Sequence, residues 1–321
     1  MLPTVSICIA AYNVEKYLSE CVESIIRFES DILKEIIIID DLSTDATPTV
    51  IESLMHQYPE ERIISSRNTK NLGPGGSYNL AANIAHGEYI TFLDSDDFLI
   101  APGLAEKLDI FARESDMQMI YGDGSFLEQG RLWLTIQPHL ARLFSHTLEY
   151  IKKELYTTIP MMSVSSCLMR KDFFDAIGWF DPDCRSNDWV LNLRIFSKLT
   201  SKSQFSYIST PVFAYRIHAQ NISKDQVRMR DLLAEVVDKY IPPEYKNLEY
   251  GNIYFFTSLN FILQWEYRKS YRNFLQSLRF DFRPMRIIIY IVALMSPVRY
   301  IADRHPKLFM SIKKTIQKFF S

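Results

Sequence analysis

Along the first 120 residues, short runs of apolar and β-branched residues alternate with segments whose apolar positions recur at helical spacing. The runs 4–10, 35–40, 62–66, 88–93 and 117–121 predict strands. Between the first two, Val14, Leu18, Val22, Ile25 and Ile26 line one face of a helix. This rhythm predicts a parallel sheet covered by helices, an α/β fold, because strands joined by crossover helices are buried on both faces. Ser43 or Asp45 suits the cap of the helix after the second strand, and Pro102 the first turn of another. Past Tyr121 the pattern loosens. Gly122, Gly124 and Gly130 mark turns, 145–156 reads as a helix and 163–169 as a strand. From 225 onward the pattern is mainly helical, broken at Pro242-Pro243, so the expected division is 1–224 and 225–321. There is no internal repeat and no low-complexity tract.

With 321 residues, 47% of them hydrophobic, the chain buries a full core and disorder is excluded as its main character. The net charge of −2 hides an asymmetry: 268–321 carries 12 Lys or Arg against Asp281 and Asp303, which is +10 and leaves −12 for the remainder. Such a tail predicts an electrostatic partner, an anionic membrane surface or nucleic acid. No nucleic-acid-binding motif accompanies the charge, which leaves the membrane as the expectation and a solvated basic helix as the plain alternative. The apolar segment 287–298 is too short to span a bilayer, which takes roughly 20 residues. At the end of the chain Ile312, Ile316, Phe319 and Phe320 alternate with Lys313, Lys314 and Lys318 in an amphipathic pattern. Cys8, Cys21, Cys167 and Cys184 form no CxxC pair and sit in or near apolar runs, as buried thiols in a reducing compartment do; zinc is not expected. No basic, apolar leader opens the chain, so a cytoplasmic location is expected, at most peripheral on the inner face of the cell membrane.

Ligands of open α/β sheets bind beyond the carboxyl ends of the strands. Three of these ends carry polar groups: Tyr12-Asn13, Asp40-Asp41 and Asp94-Ser95-Asp96-Asp97. Carboxylates packed as closely as Asp94, Asp96 and Asp97 raise each other's pKa, and a divalent cation relieves the repulsion. Oxygen ligands favour Mg²⁺ or Mn²⁺, which commonly share their shell with substrate phosphates. The alternative for Asp96 or Asp97 is a helix N-cap ahead of Pro102. The Gly-rich segment 71–79 leads into a helix, 80–85, whose N-terminus suits a diphosphate. It is neither GxGxxG nor a Walker loop, which argues against a nicotinamide dehydrogenase and a P-loop NTPase.

Taken in order, Ala11-Tyr12-Asn13, Ile39-Asp40-Asp41-Leu42-Ser43-Thr44-Asp45, Asn71-x-Gly73 with Asn79, and Leu93-Asp94-Ser95-Asp96-Asp97 resemble the family-2 glycosyltransferases of the GT-A fold. The resemblance covers roughly 3–223. It implies a Rossmann-like nucleotide-sugar-binding domain with a mixed sheet, followed by a mainly helical C-terminal region. It further implies that Ala10, Tyr12, Asp41, Asn71, Asn79, Asp94, Ser95, Asp96 and His218 contact the donor. Tyr12 would lie on the base, and Asp41, or failing it Asp40, would accept the N3–H of uracil or thymine. Asp96 or Asp97, with His218, would ligate Mn²⁺ or Mg²⁺.

Further along, Ile177-Gly178-Trp179-Phe180-Asp181 followed by Asn187-Asp188-Trp189 resembles the family segment ending in Glu-Asp, which makes Asp188 the general base. Read alone, Asp188 also suits a helix N-cap. Asn187 replaces the usual Glu, and Tyr78 stands where an Arg often precedes the Asn of the Gly-rich loop. Tyr215-Arg216-Ile217-His218, with Asn221 and Ser223, resembles the loop that closes over the diphosphate. The implied activity is inverting transfer of a sugar, from a UDP-sugar by preference, to a hydroxyl of a saccharide or lipid-linked saccharide in polysaccharide or glycoconjugate assembly. Self-association is compatible with this reading. A pyrophosphorylase would show a Gly- and Arg/Lys-rich loop where Ala11-Tyr12-Asn13-Val14 stands. A catalytically silent sugar-nucleotide-binding scaffold of the same fold is the remaining rival.

Overall fold

A computed structural model describes residues 4–29, 33–100, 103–128, 131–135, 138–158, 162–184, 187–218 and 221–295. Pro102, Gly130 and the expected amphipathic ending, 312–320, lie outside these residues. The chain forms two compact units, 1–152 with 161–218, and 153–160 with 219–321.

The first unit begins as the sequence pattern predicts: β1 (Val5–Ala11), α1 (Leu18–Glu29), β2 (Leu33–Asp40), α2 (Thr47–Gln57), β3 (Ile63–Arg67), α3 (Gly73–Ile84) and β4 (Tyr89–Asp94). There follow β5 (Phe98–Leu99), α4 (Leu104–Arg113), β6 (Met119–Glu128), β7 (Arg131–Thr135), α5 (Pro138–Leu143) and α6 (Leu148–Thr157), which runs on into the second unit. β8 (Cys167–Arg170), α7 (Lys171–Ala176), α8 (Asn187–Lys198) and β9 (Phe205–Arg216) complete it. The strands make one mixed sheet in the order β3-β2-β1-β4-β8-β6-β9-β5, with β7 hairpinned onto β6. β3, β2, β1 and β4 run parallel, and β8 joins β4 antiparallel. Ile36, Ile37, Ile38 and Ile39 are all fully buried, as a strand covered on both faces requires. Register aligns Ala10 with Ile39 and Asp94, so the carboxyl ends of β1, β2 and β4 finish together on one edge.

Several local expectations change in the folded chain. α3 starts at Gly73, so the Gly-Pro-Gly-Gly run is its first turn and not a loop ahead of it. The reason is long-range: Asp41 accepts the amides of Leu72 and Gly73, supplying a cap from 31 residues before Leu72. The helix expected over 145–156 is present but begins at Leu148, since Ser145 and His146 turn back onto Arg142 and Leu143 and the Thr147 hydroxyl takes the Tyr150 amide. In 163–169 only the end is a strand, because Ser163 caps a 3-10 turn at Val164–Ser166. Neither Asp96 nor Asp97 caps α4, whose cap position is Gly103. Ser43 does not cap α2 either; Asp45, one residue before the cap position, accepts the Thr47 amide.

The second unit is helical: α9 (Gln226–Tyr240), capped by the Asp225 carboxylate, α10 (Pro243–Leu263), α11 (Tyr267–Phe280) and α12 (Pro284–Met295). Pro242 and Pro243 separate α9 from α10 as expected. Phe255, Ile262, Phe274 and Tyr290 form its core, with the Phe274 and Tyr290 rings stacked 3.9 Å apart. Among the described residues no helix is long and apolar enough to cross a membrane. Arg286 is fully buried and donates to the Ser277 carbonyl (3.1 Å), the Asp281 carbonyl (2.6 Å) and Asn252 Oδ1 (2.8 Å), with the Asp281 carboxylate 3.0 Å away. Burial lowers its pKa to about 10, so it stays charged at neutral pH. Arg286→Met should destabilise the unit by about 3 kcal/mol, because buried acceptors lose their charged donor. Urea unfolding followed by helical circular dichroism reads this; an unchanged midpoint contradicts it.

Candidate active site

The common edge of β1, β2 and β4 is built on turns that use rare backbone geometry. Asn13, just past β1, has φ +54°, and Leu42, just past β2, has φ +66°. Asn tolerates the left-handed region, whereas a residue such as Leu42 there costs on the order of 1–3 kcal/mol and persists only where surrounding bonds over-determine it. Those bonds are present. Asp40 Oδ1 accepts the Ser43 amide (2.9 Å) and its carboxylate pairs with Arg67 (3.0 Å). Asn13 Oδ1 accepts the Thr44 amide (2.8 Å), and its own amide donates to Ser43 Oγ (3.0 Å).

Asp41 is buried. Its Oδ1 accepts from Asn68 Nδ2 (2.7 Å) and the Leu72 amide (2.7 Å), and its Oδ2 from the Gly73 amide (2.8 Å). Asn71 donates to the Asp41 carbonyl (3.2 Å), so the Gly-rich turn is stitched to the end of β2. Tyr12 stands out into solvent at 49% exposure, and Ala10 is half-buried between Ile39 and Asp94.

The second group of residues surrounds the end of β4. Asp94 Oδ1 accepts the Tyr78 hydroxyl at 2.7 Å. Burial and the charge of Asp96 push Asp94 up to about 6, against hydrogen bonds from Tyr78 and Ser165. Ser95 is buried. Asp97 is buried too and turns inward: its Oδ1 accepts the Arg216 amide (2.9 Å), its Oδ2 has no hydrogen-bond partner, and burial with the charges of Asp96 and Asp94 raises its pKa. Asp96 is the half-open member, and its Oδ2 lies 2.9 Å from His218 Nε2. The end of β9 is therefore clamped onto the acids. Arg216 Nε donates to the Asp96 carbonyl (2.9 Å), its guanidinium pairs with Glu20 (2.6 Å), and the His218 ring stacks on Tyr17 at 4.8 Å.

Asp188 lies in the first turn of α8, and its side chain is exposed. The surrounding protein and then the charge of Asp94 push it up to about 8, opposed by a bond from the Val164 backbone. Access to water moderates that rise; the direction is upward. A bond to Val164 means that the carboxylate serves a neighbouring turn and not its own helix. Asn192, fully buried, fixes this first turn: it donates to the Asp188 carbonyl (2.7 Å) and the Met162 carbonyl (3.1 Å) and accepts the Tyr121 hydroxyl. Asn79 donates to the Phe180 carbonyl (2.9 Å) and accepts the Phe180 amide (3.0 Å), tying α3 to the segment that leads to Asp188.

Asp94, Asp188 and Asp96 all bear electrostatically on the buried Tyr78 phenol, so the three acids are gathered around one side chain. Asn71 and Asn79 are spent on the frame, and Asn221 and Ser223 fall in the second unit. Tyr78, Ser165, Asn192 and Arg216 are framing residues that the motifs do not flag as such. Among the described residues, no group of three or more His, Cys, Asp and Glu side chains is gathered to hold a metal ion. The Asp96–His218 pair offers two ligating atoms, the number that suits an ion whose remaining ligands are phosphate oxygens and water.

Comparison with known proteins adds the family. Residues 6–178 match Glycosyl transferase family 2. An uncharacterised glycosyltransferase of Methanocaldococcus jannaschii, MJ1057, is 28% identical over 257 residues, 79% of this chain and 84% of that protein. Chondroitin synthase of Escherichia coli is 36% identical over 139 residues, 41% of this chain but only 20% of the synthase. The solved mannosyltransferase PcManGT of Pyrobaculum calidifontis, in complex with GDP-Man and Mn²⁺, superposes with a TM-score of 0.60 at 17% identity, covering 100% of this chain and 85% of that one. The mixed sheet with its acidic β4 edge and the match over 6–178 agree: this chain belongs to glycosyl transferase family 2 and has its GT-A fold.

Proposed function

We propose that the protein is an inverting, metal-assisted glycosyltransferase that moves a sugar from a nucleotide diphosphate donor to an acceptor hydroxyl. The observation that carries this is the pairing of two acids with different environments: Asp96, half-open and bonded to His218, and Asp188, raised in pKa by the surrounding protein and then by the charge of Asp94. The donor base lies on exposed Tyr12, and the unused lone pair of Asp41 Oδ2 accepts the N3–H of uracil. The diphosphate runs past Ala10, Ser95 and Asp94 toward Asp96.

Asp96 and His218 hold Mn²⁺ or Mg²⁺ in this reading. Asp97 does not, since it is buried, raised in pKa and bonded to Arg216. An imidazole in the set favours Mn²⁺, the softer of the two ions. When bound, the ion supplies Lewis-acid neutralisation of the departing diphosphate.

Asp188 accepts the proton of the acceptor hydroxyl as its oxygen bonds to C1. The C1–O bond to the diphosphate breaks on the opposite face, and its electron pair leaves on the diphosphate oxygen. One displacement inverts the anomeric centre. A base whose pKa lies above the usual carboxylate range is better matched to a hydroxyl near neutral pH, provided it is deprotonated. The acceptor in this reading is a saccharide or lipid-linked saccharide, and the likeness to chondroitin synthase supports a saccharide product.

Asp188→Asn should lower transfer on the order of 10²–10⁴-fold and leave donor affinity nearly unchanged. UDP release and donor titration in parallel check this, and wild-type protein that binds donor but never releases UDP with any acceptor pool is the silent scaffold. Removing the cation with EDTA should abolish turnover, and Asp96→Asn should cost on the order of 10²–10³ in rate, the usual loss when leaving-group charge goes unmatched. Full activity in EDTA contradicts the metal. kcat/KM should rise with pH through an apparent pKa above the ordinary carboxylate range, because the active form of Asp188 is deprotonated. Asp94→Asn should move that limb to lower pH, since one raising charge is gone; a limb that stays in place removes Asp94 as its cause.

A further inference from the structure

The helical unit carries an outward face that the transferase reaction does not use. α12 is anchored on one side by buried Arg286 and Tyr290, one turn apart, so its other side is held outward. That side shows Phe282 just ahead of it (66% exposed), then Met285, Ile288, Ile291, Val292 (58%) and Leu294. Beside it, α11 is joined to α12 through the Phe274–Tyr290 stack and the Ser270–Tyr290 hydroxyl contact of 3.0 Å. Its exposed positions include Arg268, Arg272 and Arg279 with Tyr267 and Tyr271. Neither helix contains an acidic residue.

We infer that the α11–α12 face docks on an anionic lipid surface, with α12 lying in the plane of the headgroups. A 12-residue helix is about 18 Å long and cannot cross a hydrocarbon core of about 30 Å, so it lies flat. An exposed apolar face flanked by arginine and tyrosine matches the layering of a bilayer surface, where apolar groups meet acyl chains and arginines meet phosphates. Charge distinguishes this occupant from two others. A two-fold contact between copies of this face brings two sets of arginines together. The chain's own segment 296–321 carries six Lys or Arg against Asp303, and so has the same sign as the face it would cover.

The test is sedimentation of the full chain with vesicles of phosphatidylcholine, with and without phosphatidylglycerol. Binding should require phosphatidylglycerol and weaken as salt rises, and Arg272→Gln or Arg279→Gln should each weaken it about fivefold. The pair Ile288→Asp with Val292→Asp should weaken it more than about 100-fold while leaving the melting temperature unchanged, because both side chains are exposed. Absence of binding to anionic vesicles, or binding indifferent to the double variant, overturns the inference. So does a concentration-dependent dimer in analytical ultracentrifugation that the double variant dissolves, or vesicle binding that appears only when 296–321 is removed.

Discussion

Like charges held close together are the constraint on which the rest of this structure depends. Asp94, Asp96 and Asp97 fall within four residues at the end of β4, and Asp188 adds its charge from α8. The fold does not separate them; it gives each a different partner. Tyr78 and Ser165 donate to Asp94, His218 meets Asp96, Arg216 caps Asp97, and the Val164 backbone holds Asp188. Asp94, Asp97 and Asp188 are raised by burial and by one another's charge, while Asp96 stays half-open beside His218, and carboxylates in such different environments are suited to different roles in one site. Closure of the β9 end over the acids follows from the same need, since Arg216 and His218 both come from it.

The second constraint is backbone strain at the donor edge. Asn13 and Leu42 sit in the left-handed region, and a further pair, Gly178 and Trp179, with φ of +83° and +64°, lies on the way to α8. In each place the left-handed geometry, which strains Leu42 and Trp179 though not Gly178, is held by side chains distant in sequence. Asn13 and Ser43 bind across β1 and β2, Asp41 fixes the start of α3, and Asn79 grips both sides of Phe180. Arg194 adds bonds to the Gly178 and Trp179 carbonyls. α3 is the common brace, because its N-terminus is tied to the β2 turn, its Tyr78 to Asp94 and its Asn79 to the approach to Asp188. A side chain can be aligned for catalysis only if its support is rigid, and this helix supplies the support for both halves of the site.

The strands and the first helices are legible in the sequence because their signals are local: four consecutive isoleucines in β2, and apolar residues at helical spacing in α1. The acids at the β4 end are legible for the same reason. What the pattern hides is whatever depends on a distant partner. The Gly-rich run looks like a loop because its cap, Asp41, is 31 residues before Leu72. Tyr78 reads only as a departure from the family, whereas its hydroxyl and ring connect Asp94 to Phe180. Asn192 looks like an ordinary polar residue on a helix, and only the fold brings Tyr121 and Met162 to it. The choice between Asp96 and Asp97 likewise turns on burial, which adjacent residues of one type do not reveal.

The central claim is that Asp188 serves one direct displacement at C1, and the donor's own slow hydrolysis tests it without knowledge of the acceptor. Proton NMR of the sugar first released from an α-linked UDP-sugar, recorded before mutarotation, reports the stereochemistry directly. The account predicts that the β-anomer appears first and that Asp188→Asn suppresses it; first appearance of the α-anomer would contradict it.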